Sequence, residues 1–248
     1  MAAELGQDTR NAAASRLQDL VLDRADTEEF LHELVAVSAS MLSARGNALF
    51  CGMTVARNKR PLTVVGSDIK ALVLEELQYE FRDGPCPTAM RTRTRVHMPD
   101  VRGEVRWPEY MAAVSVHGIG SILGLPLPLE GAARAVLHLY SPQKDGFTRE
   151  AIIRAEAFAE EAAKTLRMGL RLAHMSEANN DMVEAMKSRT VIDVAVGAIM
   201  AQNRCSQDAA LQLLIKASST RNIKLRDVAA SVIASVADNS PVRTHFDE

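Results

Sequence analysis

The sequence is poor in aromatic residues and in cysteine. Aromatic residues make up 4% of its 248 positions, and a single tryptophan is present. The three cysteines, Cys51, Cys86 and Cys205, are odd in number and far apart. They therefore form neither a disulfide framework nor a zinc-binding pattern, and their usage is typical of a reducing cytosol.

Long apolar runs are also absent. No run approaches the roughly 18 residues of a membrane span, and prolines interrupt the most apolar stretch, residues 122–129. Residues 1–10 are polar and lack the apolar segment of a signal peptide. We therefore expect a soluble protein of the cytoplasm.

Positive charge is concentrated in the last quarter of the chain. Residues 187–227 contain seven lysines and arginines but only three aspartates, which gives this segment a net charge of +4. Because the whole chain carries −2, the remainder carries −6. Clustered cations on an otherwise acidic protein favour a polyanionic partner. The alternative is a small helical bundle with a solvated basic face.

Three amphipathic helices are predicted in this segment, over residues 189–203, 206–219 and 224–236. In each, apolar residues recur with the i, i+3, i+4, i+7 spacing of a helix that buries one face. The predicted inward residues are Ile192, Ala195 and Ile199, then Ala210, Leu214 and Ala217, then Leu225, Val228, Ala229, Val232 and Val236. Ala195 and Gly197 are small, so we expect close helix packing there to compensate for the low helix propensity of glycine.

Four stretches of this segment resemble the ANTAR family of antitermination regulators. They are RTVIDVAVGAIM at 189–200, CSQDAA at 205–210, LLIKAS at 213–218 and NIKLRDVA at 222–229. The order and spacing of the small residues are kept. One departure is Val196, where many family members carry a lysine just before the glycine.

The resemblance implies a three-helix domain that binds paired stem-loops in nascent leader RNA and prevents formation of a terminator hairpin. We expect the turn at residues 221–226 to be central to binding, with cations holding phosphates and an asparagine bonding a base edge. The candidate RNA-binding residues are Lys187, Arg189, Arg204, Lys216, Arg221, Asn222, Lys224 and Arg226.

Upstream of this segment, predicted helices and strands alternate. We expect helices at 11–24, 27–44 and 68–81, strands at 48–55, 61–66, 95–98, 121–129 and 133–140, and a long helix capped by Thr148. The strand at 48–55 is predicted to be half-buried, and the DGPCP stretch at 83–87 to be a loop. This order predicts an α+β fold, an antiparallel sheet with flanking helices.

A set of short motifs in this part resembles a GAF domain of the type that precedes ANTAR modules. The motifs are EFRDGPC at 80–86, RW at 106–107, GSILGLPL at 120–127, LHLYS at 137–141 and Phe147. The resemblance covers residues 26–166. It implies a domain that binds a small molecule or mediates dimerisation, and it does not specify the ligand.

No catalytic motif, metal-ligand spacing or cofactor-binding loop is evident in this part, so no enzymatic activity, metal or cofactor is predicted. Cys86 is interpreted as a packed loop residue rather than a reactive thiol, since no base lies near it in sequence. His97, His117 and His138 lie on or near strands but do not have the spacing of metal ligands.

A ligand pocket is nevertheless expected between the sheet and the segment 83–98. Its predicted lining residues are Cys86, Met90, Val96 and Trp107. Trp107 is interpreted as a core or lid residue, with stacking on a ligand as the alternative.

A heptad pattern precedes the basic segment. Apolar and amide residues recur at spacings of 4, 3, 4, 3 and 4, at Met168, Leu172, Met175, Asn179, Met182 and Met186. Such a seam predicts a parallel homodimer in which Asn179 fixes the register, while methionines leave the packing adaptable. The alternative is a surface helix that packs on its own GAF-like domain.

The sequence thus predicts five segments. These are an N-terminal helix (1–25), a GAF-like sensor domain (26–166), a coiled-coil linker (167–187), an ANTAR-like RNA-binding domain (188–238) and a flexible tail (239–248). The expected function is antitermination gated by a small ligand or partner protein at the sensor. The alternatives are a DNA-binding helix-turn-helix regulator, in which residues 206–236 enter the major groove, and a ligand- or protein-binding module without nucleic acid.

Overall fold

The computed structural model describes residues 2–22, 27–44, 46–57, 63–81 and 83–236. Its helices are α1 (Ala2–Leu22), α2 (Thr27–Leu42), α3 (Ile69–Glu80), α4 (Pro85–Thr92), α5 (Pro108–Val116), α6 (Arg149–Asn203), α7 (Gln207–Arg221) and α8 (Leu225–Val236). Its strands are β1 (Phe50–Ala56), β2 (Thr63–Gly66), β3 (Val96–Met98), β4 (Ser121–Leu127) and β5 (Arg134–Ser141). The whole predicted tail, residues 239–248, lies outside the described residues. So do residues 23–24 of the predicted helix 11–24, residues 61–62 of the predicted strand 61–66 and residues 237–238 of the predicted ANTAR-like domain.

The chain divides into two compact units, residues 1–173 and residues 174–248. Helix α6 runs for 55 residues and contributes to both. It begins at the predicted cap, where the hydroxyl of Thr148 accepts a hydrogen bond of 3.2 Å from the backbone N–H of Ala151. We call residues 1–173 the sensor unit and residues 174–248 the basic unit.

The sensor unit is built on a five-stranded sheet with strand order β2-β1-β5-β4-β3. All neighbouring strands are antiparallel, which confirms the predicted fold class. One face packs against residues of α1, α2 and α6, including Leu17, Leu34 and Phe158. The other face packs against α3, α4 and α5, through residues such as Leu74 and Tyr110.

Because helices cover both faces, the central strands are buried on both sides. The prediction that residues 48–55 form a half-buried strand is therefore wrong: Thr54, on the face predicted to be exposed, is 2% exposed. A strand covered on both faces loses the polar–apolar alternation that distinguishes a half-buried strand.

Two helices on the second face were not predicted. The DGPCP stretch was expected to be a loop, but Pro85 begins α4 after the extended Gly84. Proline is tolerated in the first turn of a helix, because the N–H that it lacks has no partner there. Helix α5 likewise starts at a proline, Pro108, directly after Trp107.

The basic unit contains the last part of α6 together with α7 and α8. Ser206 caps α7 by accepting a 3.3 Å hydrogen bond from the N–H of Ala209. Ala195, Ala210, Leu214 and Ala229 are almost completely buried in a common core, as the helical periodicity predicts.

Two details of this unit differ from expectation. Val236 was predicted to face inward but is 48% exposed, and Ile233 takes the buried position instead. Gly197 was expected to allow a close helix approach, yet it is exposed and a Cβ placed there would meet nothing within 4 Å. Close packing therefore does not compensate for its low helix propensity.

Candidate nucleic-acid interface and buried polar cluster

All eight candidate RNA-binding residues are exposed in the basic unit. Lys187 and Arg189 lie on α6, Lys216 and Arg221 on α7, and Arg226 in the first turn of α8. The other three occupy the connections between helices, at Arg204, Asn222 and Lys224.

Carboxylates neutralise three of the seven cations. Glu184 lies 3.2 Å from Lys187 and 3.5 Å from Arg226, so it brings these two residues together across distant parts of the sequence. Arg226 also lies 3.6 Å from Asp227, and Arg189 lies 3.7 Å from Asp193 on the same helix. Exposed pairs of this kind contribute little to stability, and a phosphate can displace the carboxylate.

The other four cations have no such partner. Within the described part of the chain, no ion pair involves Arg204, Lys216, Arg221 or Lys224. These four residues, which we call the unpaired cations, are the groups most available to an external polyanion.

The turn between α7 and α8 has a fixed backbone. Asn222 adopts a left-handed conformation with φ of 52°, which ends α7 as asparagine readily does. The hydroxyl of Ser218 donates a 2.6 Å hydrogen bond to the carbonyl of Ile223, whose N–H donates back to the carbonyl of Ser218. The turn therefore presents Arg221 and Lys224 from a rigid support.

A buried polar cluster lies in the sensor unit, between the sheet and α3. The carboxylate of Glu75 on α3 is fully buried and accepts hydrogen bonds from the hydroxyls of Thr54, at 2.9 Å, and Tyr140, at 2.7 Å. It also lies 2.9 Å from Nδ1 of the fully buried His138. Gln78 extends the cluster by donating to Tyr140 Oη and accepting from the N–H of Cys86.

Glycines make room for this cluster. His138 on β5 lies between Gly52 of β1 and Gly124 of β4 in the sheet register. A Cβ at Gly52 would lie 2.3 Å from the Glu75 carboxylate oxygen, which real contacts do not allow. Glycine at position 52 is therefore required by the buried carboxylate.

The electrostatics of the cluster favour a charged imidazole. Burial alone would lower the pKa of His138, but the Glu75 carboxylate and the nearby Cys86 thiol outweigh burial and raise this pKa to about 10. The second ring nitrogen, Nε2, is buried and has no hydrogen-bond partner of normal geometry among the described residues, although Cys86 is adjacent to the ring.

Sequence reasoning missed Thr54, Glu75, Gln78 and Tyr140. A signal was present in α3, where the buried residues Ala71, Leu74, Glu75 and Gln78 follow the i, i+3, i+4, i+7 spacing of one helix face. A carboxylate and an amide on an otherwise apolar face indicate a buried polar network, because such groups are buried only when they are paired.

The four predicted pocket residues belong to one apolar cluster beneath α4 and α5, with Met90 at its edge. Trp107 borders an open pocket of about 460 Å³ together with Phe81, Tyr110 and three carboxylates, whereas Met90 borders a separate pocket of about 260 Å³ beside Pro126. The Arg106 guanidinium stacks on Trp107, 4.6 Å from the ring centre.

Two further properties concern ligands and membranes. In the described ranges, no group of three or more His, Cys, Asp or Glu side chains is placed to hold a metal ion. None of the described helices combines the length and apolarity that crossing a bilayer requires.

The fold and the exposed cations thus define a sensor-type α+β domain followed by a basic helical domain. Family models agree with this division: a GAF domain model matches residues 24–167 and an ANTAR domain model matches residues 180–233. The chain therefore belongs to the GAF–ANTAR regulators, in which a sensor domain is joined to an RNA-binding antitermination domain.

Solved structures resemble the sensor part at low sequence identity. A GAF sensor protein from Burkholderia vietnamiensis is 19% identical, with 69% of this chain and 94% of that chain covered and a TM-score of 0.45. The N-acylhomoserine lactone-dependent LuxR-family transcription factor CepR2 from Burkholderia cenocepacia is 15% identical over 67% and 98%, with a TM-score of 0.49. Free methionine-R-sulfoxide reductase from Neisseria meningitidis is 17% identical over 65% and 90%, with a TM-score of 0.45.

These three likenesses assign no function to this chain. The comparison with curated proteins gave no match.

Proposed function

We propose that this protein is a cytoplasmic antitermination regulator whose basic unit binds stem-loops in nascent leader RNA. The observation that carries the proposal is the set of unpaired cations. Arg204, Lys216, Arg221 and Lys224 are exposed and have no carboxylate partner among the described residues, within a domain that matches the ANTAR family. A phosphate binds more favourably to a cation that is not already neutralised, because binding then releases counterions without breaking an ion pair.

The turn between α7 and α8 supports recognition of a loop rather than of a duplex. The exposed Asn222 lies between Arg221 and Lys224, and Ile223 in the same turn is 44% exposed. An amide can bond the edge of an unstacked base, and an apolar side chain can contact its face. In this proposal the two cations hold the flanking phosphates.

The DNA-binding alternative is less well supported by α8. After Arg226 and Asp227, the exposed residues of this helix include Ala230, Ser231 and Ala234. A recognition helix in the major groove reads base edges with long polar side chains such as Arg, Asn and Gln. Such side chains are missing from α8 beyond its first turn.

Paired stem-loops call for two basic units, so we propose that the chain acts as a homodimer. Residues 167–187 then form a coiled-coil linker whose seam is the heptad described above. The four seam methionines and Leu172 are between 44% and 67% exposed in the single chain, as expected for a surface that a second copy covers. Linking two RNA-binding units raises affinity by effective concentration.

We further propose that the sensor unit controls RNA binding and that neither unit turns over a substrate. A small ligand or partner protein beside the predicted pocket residues Cys86, Met90, Val96 and Trp107 would alter the packing of α6. Such a ligand shifts the equilibrium between two packings of α6 only by the difference between its affinities for the two packings.

The unpaired cations give the test of RNA binding. Lys224→Ala and Arg204→Ala are each expected to weaken binding to RNA recovered by crosslinking in cells, and to reduce the slope of log affinity against log salt by about 0.7 to 0.9 per lost phosphate contact. The measurement is a fluorescence titration of the full chain at several salt concentrations.

Arg91→Ala is the charge-matched control, since Arg91 is an exposed arginine of α4 in the sensor unit. This variant is expected to keep the affinity and the salt slope of the wild type. If Lys224→Ala and Arg204→Ala also keep both values, the RNA-binding surface lies elsewhere.

A further inference from the structure

A cavity of about 260 Å³ lies between the C-terminal end of α4 and the end of the hairpin formed by β4 and β5. Most of its walls are aliphatic, with side chains such as Met90, Leu127 and Leu129. Arg93 and Arg134 also line it, and none of the described carboxylates does. The cavity therefore combines an apolar interior with two positive charges.

Arg93 supplies the first of these charges from an unusual backbone position. It ends α4 in a left-handed conformation with φ of 54°, where glycine or asparagine is usual. Its guanidinium is exposed and has no ion pair or hydrogen bond within the described ranges. Arg91 and Arg95, two residues away on either side, pair with Asp83 and Glu156. The positive charge of Arg93 is thus left without a counter-charge at the edge of the cavity.

Arg134 supplies the second charge, and part of its guanidinium is held in place. Nη1 donates hydrogen bonds of 2.9 Å and 2.6 Å to the carbonyls of Gly131 and Ala133. Because Nη1 carries two of the five guanidinium hydrogens, Nε and Nη2 keep the other three. Among the described residues, none accepts a hydrogen bond from these two nitrogens, and Glu130 of the same loop pairs with Arg171 instead. Such a free edge of a guanidinium binds a carboxylate through two parallel hydrogen bonds.

We propose that this cavity binds a small aliphatic carboxylate, whose charge is held by Arg93 and Arg134 and whose hydrocarbon chain lies against the apolar walls. Two guanidiniums without a counter-charge favour an anion, and walls without an aromatic ring favour a flexible chain. Met90 can adapt its side chain to the shape of the ligand. Sites for drug-sized molecules have volumes of roughly 300–1,000 Å³, so this smaller cavity selects a short chain.

The loop that lines the cavity also contacts α6. Pro128 is part of the lining, and its carbonyl accepts a hydrogen bond from the guanidinium of Arg167 on α6. Glu130 pairs with Arg171, one turn further along the same helix. These two arginines directly precede the first two positions of the heptad seam. A ligand that displaces residues 128–130 therefore acts on α6 where the seam begins, and the effect of this on RNA binding rests on the proposed function.

The test compares octanoate with octanamide, which has nearly the same shape and no charge. Isothermal titration calorimetry of the full chain measures the affinity for each compound. We expect saturable binding of one octanoate per chain and at least about tenfold weaker binding of octanamide, since hydrogen bonds between charged groups exceed neutral ones by about this factor. Absence of saturable octanoate binding, or equal affinity for octanamide, overturns the proposal.

Two variants test the two guanidiniums separately. Arg93→Gly is expected to weaken octanoate binding at least about tenfold. It should also raise the melting temperature, because glycine suits the left-handed conformation at this position. A loss of affinity together with a gain in stability cannot come from a damaged fold. Arg134→Lys keeps the positive charge but loses the two parallel hydrogen bonds, so it should weaken binding by about tenfold as well.

Arg102→Gln is the control, since Arg102 is an exposed arginine of the sensor unit that does not line the cavity. It is expected to keep the octanoate affinity of the wild type. Unchanged affinity in either Arg93→Gly or Arg134→Lys, or an equal loss in Arg102→Gln, contradicts the proposed site.

Octanoate binding is measured without RNA, so the two proposals can fail separately. If octanoate binds as expected while Lys224→Ala and Arg204→Ala keep full RNA affinity, the carboxylate site stands and the proposed RNA-binding surface falls. If those two variants lose RNA affinity but octanoate does not bind, the RNA-binding surface stands and the carboxylate site falls.

Discussion

Replacing Glu75 by glutamine is expected to lower the free energy of unfolding of the sensor unit by about 3–5 kcal/mol. The carboxylate is fully buried and receives hydrogen bonds from two hydroxyls as well as contact with the imidazole of His138. An amide removes the negative charge and directs an N–H at groups that are themselves donors. His138 then lacks the counter-charge for its buried imidazolium, which is the costly outcome.

The measurement is urea denaturation followed by tryptophan fluorescence. Trp107 is the only tryptophan and is buried in the sensor unit, so its signal reports this unit alone. Glu76→Gln is the matched control, since Glu76 is the next residue of α3 and is exposed. Its effect is expected to stay within about 0.5 kcal/mol. A loss below about 1 kcal/mol for Glu75→Gln would show that the buried pair contributes little.

The same pair predicts a dependence of stability on pH. Although burial opposes it, Glu75 and Cys86 raise the pKa of His138 from 6.5 to about 10. The folded state therefore binds this proton more tightly than the unfolded state does. The resulting stability is fully present below about pH 6.5 and is lost as the pH rises through about 10. The wild-type sensor unit should unfold at lower urea at pH 9.5 than at pH 6, and Glu75→Gln should flatten this difference.

The double variant Leu172→Asp, Met182→Asp is expected to abolish the homodimer. Each copy would place two charges in an apolar seam, where an unpaired charge costs about 3–5 kcal/mol. Each 1.4 kcal/mol changes an equilibrium about tenfold, so the dissociation constant should rise by at least about a thousandfold. Sedimentation velocity of the full chain, with and without RNA, measures this change.

The control for the seam places the same charges elsewhere on the helix. His174 and Asn180 are exposed residues of α6 outside the heptad positions, so His174→Asp, Asn180→Asp should leave the dimer intact. Asn179→Leu should lower the dissociation constant of the dimer and allow more than one register between its two helices. A buried amide at a seam position fixes a single register at a cost in stability. A wild type that remains monomeric even when RNA is bound rules out the seam.

Sequence periodicity predicted the helices of the basic unit to within a few residues, because one face of each packs into a small shared core. The second of these helices was predicted to begin at Ser206, which in the structure is the cap directly before α7. The errors at Val236 and Gly197 arose because a spacing rule identifies a face but not where a short helix ceases to be covered.

The sensor unit was harder to predict in detail. Prolines at the starts of α4 and α5 concealed two helices, and burial on both faces concealed the alternation of β1. Glu75 was overlooked because charged residues usually face solvent, and its partner His138 is distant in sequence.

The way α6 closes the sensor core has consequences for how the chain folds. Leu17 of α1 shares that core with Phe158 and Leu166, so its contacts join residues near opposite ends of the unit. In the basic unit, by contrast, the core joins Ala195 to Ile233 over a short stretch of chain. Since folding slows as the sequence separation of contacts grows, the basic unit should acquire its structure first during refolding. During synthesis the order in which the two units fold is constrained differently, because the sensor core cannot be completed until α6 has left the ribosome.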